Sequence, residues 1–267
     1  MSLLTLSAAS YGVRGKILLN QASMTLRPGE LTVAIGPNGA GKSTLLRLCC
    51  GELAPTGGRV LWDGADLASM PPWRLAAARA VLPQASSLGF PFTVAEVVRL
   101  GMETVGRKLT RAAATAIIDS SLASADVEHL TGRSYETLSG GERQRVHFAR
   151  AVAQLAAGRA ASGRDDLPQA LFLDEPTASL DIHHQLLLMR EARRLADSGV
   201  AVFAVLHDLS LASSCADAIL LMRNGGIVAQ GAPDVVLTPD WVRRVFGVEA
   251  EILQASRGGP AFAYRLP

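Results

Sequence analysis

The chain has 267 residues, about half of them apolar, with 26 basic and 24 acidic residues and a net charge of +2. That suits one large α/β domain with a substantial core, and the near-balanced charge excludes the strongly basic face that nucleic-acid binding requires. No apolar run approaches the roughly 20 residues needed to span a bilayer, and the N-terminus lacks the basic region and cleavage site of a secretory signal. Cys49, Cys50 and Cys215 have no metal-ligand spacing, and an odd count builds no disulfide framework. A cytosolic protein with small buried thiols is expected.

Residues 3–35 alternate short apolar runs with turn signals at Gly12, Gly15 and Arg27-Pro28-Gly29-Glu30, which predicts strands and hairpins. The run Leu31–Ile35 is apolar and β-branched and predicts a buried strand. It leads into Gly36-Pro37-Asn38-Gly39-Ala40-Gly41-Lys42-Ser43, which fits the phosphate-binding loop G-x-x-x-x-G-K-[ST]. Residues 44–50 then predict a helix. The glycines let the backbone curl so that N–H groups point at phosphate oxygens, and the helix N-terminus adds partial positive charge. Lys42 is expected to reach the β- and γ-phosphates, and the Ser43 hydroxyl to ligate Mg²⁺.

Residues 59–64 continue the strand pattern, and residues 73–81 predict a helix. Residues 81–84 read as a strand ended by Pro83. Residues 93–130 have a helical period interrupted near Gly106 and read as a helical subdomain inserted into the sheet domain. A long helix is expected from Ser139 to about Ala157. A loop is expected over residues 158–168, where small and polar residues cluster. Ala170–Asp174 predicts a strand, residues 183–197 a helix, and residues 200–206 a strand buried on both faces. Residues 218–222 and 227–230 flank Asn224-Gly225-Gly226, a hairpin signal.

The strand Ala170–Asp174 is followed by Glu175, so it ends in two carboxylates. Beside a phosphate-binding loop, such a strand is expected to neighbour the loop's own strand. Asp174 would then lie near Mg²⁺, and Glu175 could orient and deprotonate a water for in-line attack. Leu138-Ser139-Gly140-Gly141-Glu142 opens the long helix with an N-cap hydroxyl and two glycines, a second anion site built without a lysine. A capping box from Ser139 to Glu142 accounts for those two residues and leaves the paired glycines unexplained. Two phosphate sites far apart in one chain suggest that each completes another molecule's.

Residues 36–44, Gln84, residues 138–142, residues 171–175, Ser179-Leu180-Asp181 and His207 occur in the order and spacing of ABC-transporter ATPase subunits. Over nearly its whole length the chain resembles that family. These segments are similar to its Walker A motif, Q-loop, signature, Walker B motif, D-loop and H-loop. Tyr11 stands where the family stacks an aromatic ring on adenine. The resemblance implies an α/β fold: a P-loop NTPase core, an N-terminal antiparallel β region and an inserted helical subdomain near residues 88–150. C-terminal strands and a tail would cover 218–267, all within one ATPase domain of residues 1–267.

The resemblance also implies ATP and Mg²⁺ as cofactors. Glu175, His207, Gln84 and Lys42 take catalytic roles. Nucleotide contacts come from Tyr11 and from Gly36, Pro37, Asn38, Gly39, Ala40, Gly41, Lys42, Ser43 and Thr44. Ser139, Gly140 and Gly141 contact the ATP of a partner subunit, and Ser43, Gln84 and Asp174 serve the metal. Two subunits form a head-to-tail homodimer around two ATP molecules, with Asp181 linking the sites.

A narrower resemblance, carried by residues 37–47, 91–98 and 174–183, is to ATPases of importers for iron chelates, haem and cobalamin. The 156–169 loop resembles the hemin branch. This implies a peripheral subunit on the cytoplasmic face of a bacterial inner membrane. It would work with two copies of a multi-span permease and a periplasmic binding protein, without nucleic acid and without touching the cargo. Import of a ferric siderophore or cobalamin is an alternative, as is a soluble role such as an iron–sulfur assembly scaffold. Residues 86–93, with Phe90 and Phe92 flanking Pro91, read either as a core plug or as part of a groove for a permease helix. His183 and His184 read as plain helix surface.

Overall fold

The computed structural model describes residues 2–84, 89–164, 166–253 and 261–265. The chain begins with β1 (Leu4–Val13), β2 (Lys16–Leu26), β3 (Leu31–Ile35), α1 (Lys42–Cys49), β4 (Gly57–Trp62) and β5 (Ala65–Asp66). It continues with α2 (Pro72–Ala78), β6 (Arg79–Leu82), α3 (Val94–Leu100), α4 (Arg111–Ser124), α5 (Gly140–Ser162), β7 (Ala170–Asp174) and α6 (Ile182–Asp197). The last elements are β8 (Ala201–Val205), α7 (Leu209–Cys215), β9 (Ala218–Arg223), β10 (Gly226–Gly231), α8 (Pro233–Val236), α9 (Pro239–Phe246), β11 (Glu249–Leu253) and β12 (Ala261–Arg265). These elements form two compact units, residues 1–69 with 201–267, and residues 70–200.

In the first unit, β1 pairs antiparallel with β2 and β4, and β5 adds to β4. This is the expected N-terminal antiparallel region. All five residues of β3 are buried, as suits a parallel strand covered on both faces. It pairs in parallel with β8 on one edge and β9 on the other, and β10 returns antiparallel along β9. The strand bearing Asp174 was expected as the neighbour of β3. Both edges of β3 are taken by β8 and β9, so that expectation is corrected. Parallel strands are joined by crossovers, and chain order does not fix which strand lands beside which.

In the second unit, β6 and β7 pair in parallel, and α2, α3 and α4 pack on α5. Thr93 caps α3 through a capping box with Glu96, and Thr110 caps α4. The helix of residues 73–81 stops at Ala78, where the backbone turns extended into β6. The long helix α5 does not end near Ala157. It runs 23 residues to Ser162 and closes on Gly163, whose φ of +66° is the left-handed helix cap that glycine favours. The first half of the expected 156–169 loop is therefore helix.

Gly158 misleads as a turn signal because its role is packing. A Cβ at this position would lie 2.4 Å from the carbonyl oxygen of Ala77 in α2. Replacing glycine by alanine inside a helix normally stabilises by about 1 kcal/mol. Here the sign reverses, because overpacking against backbone costs about 1–3 kcal/mol. Gly158→Ala is expected to lower the unfolding midpoint in denaturant. Gly132→Ala, with open space around its Cβ position, should stay within about 0.5 kcal/mol of the parent.

Candidate functional site

The first unit carries the phosphate-binding loop. It threads where side chains would not fit. A Cβ on Gly36 would lie 2.2 Å from Met222 O, and one on Gly41, at φ +96°, would lie 2.7 Å from Leu18 O. Gly39, at φ +77°, has nothing within 4 Å of its Cβ position, so that side of the loop stays open. The loop is tied down by Gly225 N–H donating to Ala40 O at 3.1 Å. Lys42 is 5% exposed, and its Nζ donates to Gly36 O at 2.8 Å and Pro37 O at 3.1 Å. The ammonium is thereby held against the loop it follows. α1 starts at Lys42, so the positive end of its dipole is presented by Lys42, Ser43 and Thr44.

Tyr11 and His207 join this loop on the same unit. In the β1–β2 register Tyr11 faces Leu19, and Gly41 packs against Leu18 and Leu19. The aromatic ring therefore sits one strand from the loop. Leu206 N–H donates to Ala34 O at 3.2 Å. His207, exposed just beyond β8, thus leaves the sheet at the edge where β3 passes into Gly36.

The second unit carries the carboxylates. Parallel pairing sets Leu82 of β6 opposite Leu173 of β7, so Gln84 and Glu175 emerge together, each two residues on. Gln84 Nε2 donates to Glu175 Oε2 at 2.8 Å. Asp174 is 4% exposed at the strand end. Glu175 holds φ +50°, a left-handed conformation that costs a non-glycine residue about 1–3 kcal/mol and concentrates at functional sites.

The signature segment opens α5 on this unit. Ser139 Oγ accepts the Glu142 N–H, and Glu142 Oε2 accepts the Ser139 N–H at 2.7 Å, a complete capping box. The Ser139 backbone N–H first, and its hydroxyl second, hydrogen-bond to the Glu142 carboxylate and hold it below its ordinary pKa. The box leaves Gly141 to another cause: a Cβ there would lie 3.0 Å from Ser179 O and 3.4 Å from Leu180 Cδ2. The second signature glycine makes room for the Ser179–Asp181 segment. Ser139 and Gly140 are exposed.

Asp181 caps α6 by accepting the His184 N–H at 2.9 Å. Its carboxylate also lies 2.8 Å from His184 Nδ1. The backbone contact first and the ring second lower its pKa. On its other side His184 Nε2 lies 3.8 Å from Asp126 Oδ2, which Arg145 of α5 binds at 3.0 Å. An Asp181–His184–Asp126–Arg145 chain therefore ties this segment to the signature helix. His184 lies on the helix surface as read, but with carboxylates on both sides, whereas His183 is exposed. The Asp-x-x-His spacing was a readable cap signal. Asp126 and Arg145 are too distant in sequence to have been found.

Behind the signature, Tyr135 Oη and His147 Nε2 hydrogen-bond at 2.7 Å, with His147 only 2% exposed. Phe90 is 68% exposed, which removes it from a core-plug role, and its ring lies 6.1 Å from that of Phe92. Residues 86–88 of that run lie outside the described residues. Among the described residues no three His, Cys, Asp or Glu side chains cluster as a metal cage. No helix among them is long and apolar enough to cross a membrane.

The ABC transporter family model matches residues 19–178. The hemin import ATP-binding protein HmuV of Rhodopseudomonas palustris strain BisB5 is 45% identical over 96% of this chain and 95% of its own length. That of Hahella chejuensis is 48% identical over 89% of this chain and 90% of its own length. Among solved structures, cbiO1 from Clostridium perfringens, part of the transporter complex cbiONQ, is 26% identical with a TM-score of 0.74. It covers 91% of this chain and 93% of its own.

The Tyr135–His147 pair makes a pH prediction. Burial first, and the nearby Arg150 charge second, depress the His147 pKa from its ordinary 6.5 to about 4. The folded state thus favours the neutral ring. Its contribution is complete above pH 6.5 and is lost as pH falls through about 4, up to about 3 kcal/mol. Unfolding midpoints measured from pH 7 to pH 4 are expected to fall, and His147→Leu should flatten that dependence.

Proposed function

We propose a function from one premise: the chain belongs to the ABC transporter family. On that basis it is the ATP-hydrolysing subunit of a membrane importer, and hemin is the cargo. The observation that supports this reading best is the 45% identity with a hemin import ATP-binding protein across 96% of the chain. Residues 1–267 are taken as a single ATPase domain.

The residues suit a nucleotide. The loop is open at Gly39, and glycines stand at the positions where a Cβ would meet backbone. ATP would be the substrate, and Mg²⁺ would supply charge neutralisation at its phosphates. Mg²⁺ usually takes one or two carboxylates from the protein rather than a full cage. Ser43, Asp174 and Gln84 are the residues assigned to that role. Lys42 and the start of α1 neutralise phosphate charge, and Tyr11 stacks on the base. Glu175 takes a proton from the attacking water while Gln84 fixes the orientation of its carboxylate. His207 contacts the γ-phosphate.

Ser139, Gly140 and Gly141 are assigned to the ATP of a second copy in a head-to-tail homodimer. Asp181, held by His184, reports on the opposite site. Two permease copies and a periplasmic binding protein complete the complex at the cytoplasmic face of a bacterial inner membrane. The exposed Phe90 is assigned to the permease-facing side. The cargo does not touch this chain.

Glu175→Gln keeps the Gln84 contact possible but removes the base. It is expected to bind ATP with near-parental affinity, to dimerise with it, and to lose hydrolysis by about 10²–10⁴-fold. Turnover at the parental rate would remove Glu175 from this role. In the host, deleting the chain is expected to abolish growth on hemin as sole iron source while sparing growth on simple iron salts. Unimpaired growth on hemin, with no second ATPase to substitute, would overturn the cargo and leave the ATPase assignment in place.

A further inference from the structure

The 70–200 unit holds a cavity of about 410 Å³ away from every residue assigned above. It lies among α4, the far half of α5 and the end of α6. That volume is in the range of small-molecule pockets, about 300–1,000 Å³.

Its polar groups are unevenly committed. Of the four serines on its wall, Ser120 donates to Ile117 O, Ser124 to Ser121 O and Ser198 to Leu195 O. Each of these protons closes a bond within its own helix. Ser121 is 1% exposed, and its Oγ has no hydrogen-bond partner among the described residues. An unpaired buried hydroxyl costs about 1–3 kcal/mol, so a core position on α4 is being held by a residue that stability alone would not select.

The two wall arginines divide in the same way. Arg194 is bound by Glu191 at 2.8 Å, so its charge is matched. Arg159 makes no ion pair among the described residues, and its buried Nε has no partner. The rest of the wall includes Val152, Leu155 and Leu195. Gln169, also on the wall, is committed to Ala77 O and Leu155 O, which leaves the Arg159 guanidinium without an ion pair and the Ser121 hydroxyl without a partner among the described residues.

We propose that this cavity binds a small organic carboxylate, its anionic head on Arg159 and Ser121 and its hydrocarbon body against the apolar wall. One uncompensated positive charge matches a monoanion. A doubly charged phosphate ester would leave net negative charge in a partly desolvated site, which is costly. The site lies on the last turns of the helix that Ser139 opens, so its occupant bears on the signature helix at the end opposite to the nucleotide residues.

The test is a fluorine NMR titration of the full chain with para-fluorobenzoate, with MgADP present in saturating amount. Saturable binding is expected, and para-fluorotoluene, the uncharged analogue, should not compete. Loss of a charge-assisted hydrogen bond predicts that Arg159→Gln weakens binding by about tenfold or more. Ser121→Ala, which removes one hydroxyl and should relieve an unpaired polar group, is expected to weaken it by about threefold to tenfold. Arg194→Gln should change it by less than about twofold, its charge being already matched. Because Ser121→Ala leaves a well-formed core, it decides the matter if Arg159→Gln fails to fold. The proposal is overturned if binding does not saturate, if Ser121→Ala and Arg159→Gln titrate like the parent, if the uncharged analogue binds equally, or if inorganic phosphate displaces the probe.

Discussion

A carbon atom added to Gly36 would sit 2.2 Å from the Met222 carbonyl, and one added to Gly41 would sit 2.7 Å from that of Leu18. The whole nucleotide-binding half follows from this constraint. The loop leaves β3 so close to β9 that only hydrogen can occupy the space. It then turns at positive φ to start α1 against β2. Any side chain at either place would lift the loop off the strands and move Lys42. The ammonium is aimed by carbonyls of the loop itself, Gly36 and Pro37, so an error in the loop backbone becomes an error in the charge. Tyr11 is carried by β1, which pairs with the β2 that Gly41 approaches, and His207 follows β8, which pairs with β3.

The second unit solves a different problem with the same means. Gln84 and Glu175 meet because two parallel strands run in register. Neither needs a long or flexible connection. The signature and the Ser179–Asp181 segment meet because Gly141 lacks a side chain. His184, Asp126 and Arg145 then fasten that segment to α5. Exposed ion pairs contribute little individually, about 0–1 kcal/mol. The value of this chain is positional, since it places a carboxylate at the start of α6 relative to the start of α5.

The sequence made the local features readable. A glycine loop between a buried strand and a helix, a Ser-x-x-Glu cap, and a strand ending in two carboxylates each declare themselves within about ten residues, because their physics is short-range. What was misread was long-range. Gly158 has the composition of a turn, but its function is to admit Ala77 from an element about eighty residues earlier. The neighbours of β3 are set by crossovers, which leave no mark on the strand itself. Tyr135 and His147 look like an ordinary aromatic and an ordinary histidine until burial brings them together. The ABC-transporter resemblance supplied roles for residues that geometry alone would have left as a polar turn.

The distribution of roles has an energetic consequence. The groups assigned to the phosphates, Lys42, Ser43, the loop backbone and His207, belong to residues 1–69 and 201–267, while Asp174, assigned to the metal, belongs to residues 70–200. The groups assigned to water activation, Gln84 and Glu175, belong to residues 70–200, as do Ser139 and Asp181. Only interactions stronger in the transition state than in the ground state accelerate a reaction. On these assignments the group that takes the proton, Glu175, is not one of the groups that hold the phosphates, so nucleotide can be held without being hydrolysed. Hydrolysis then becomes a step that other contacts, such as a second subunit's signature, can license. For an importer ATPase, that separation of roles is the useful property. A site in which affinity and chemistry shared every residue would turn over ATP whenever ATP was bound.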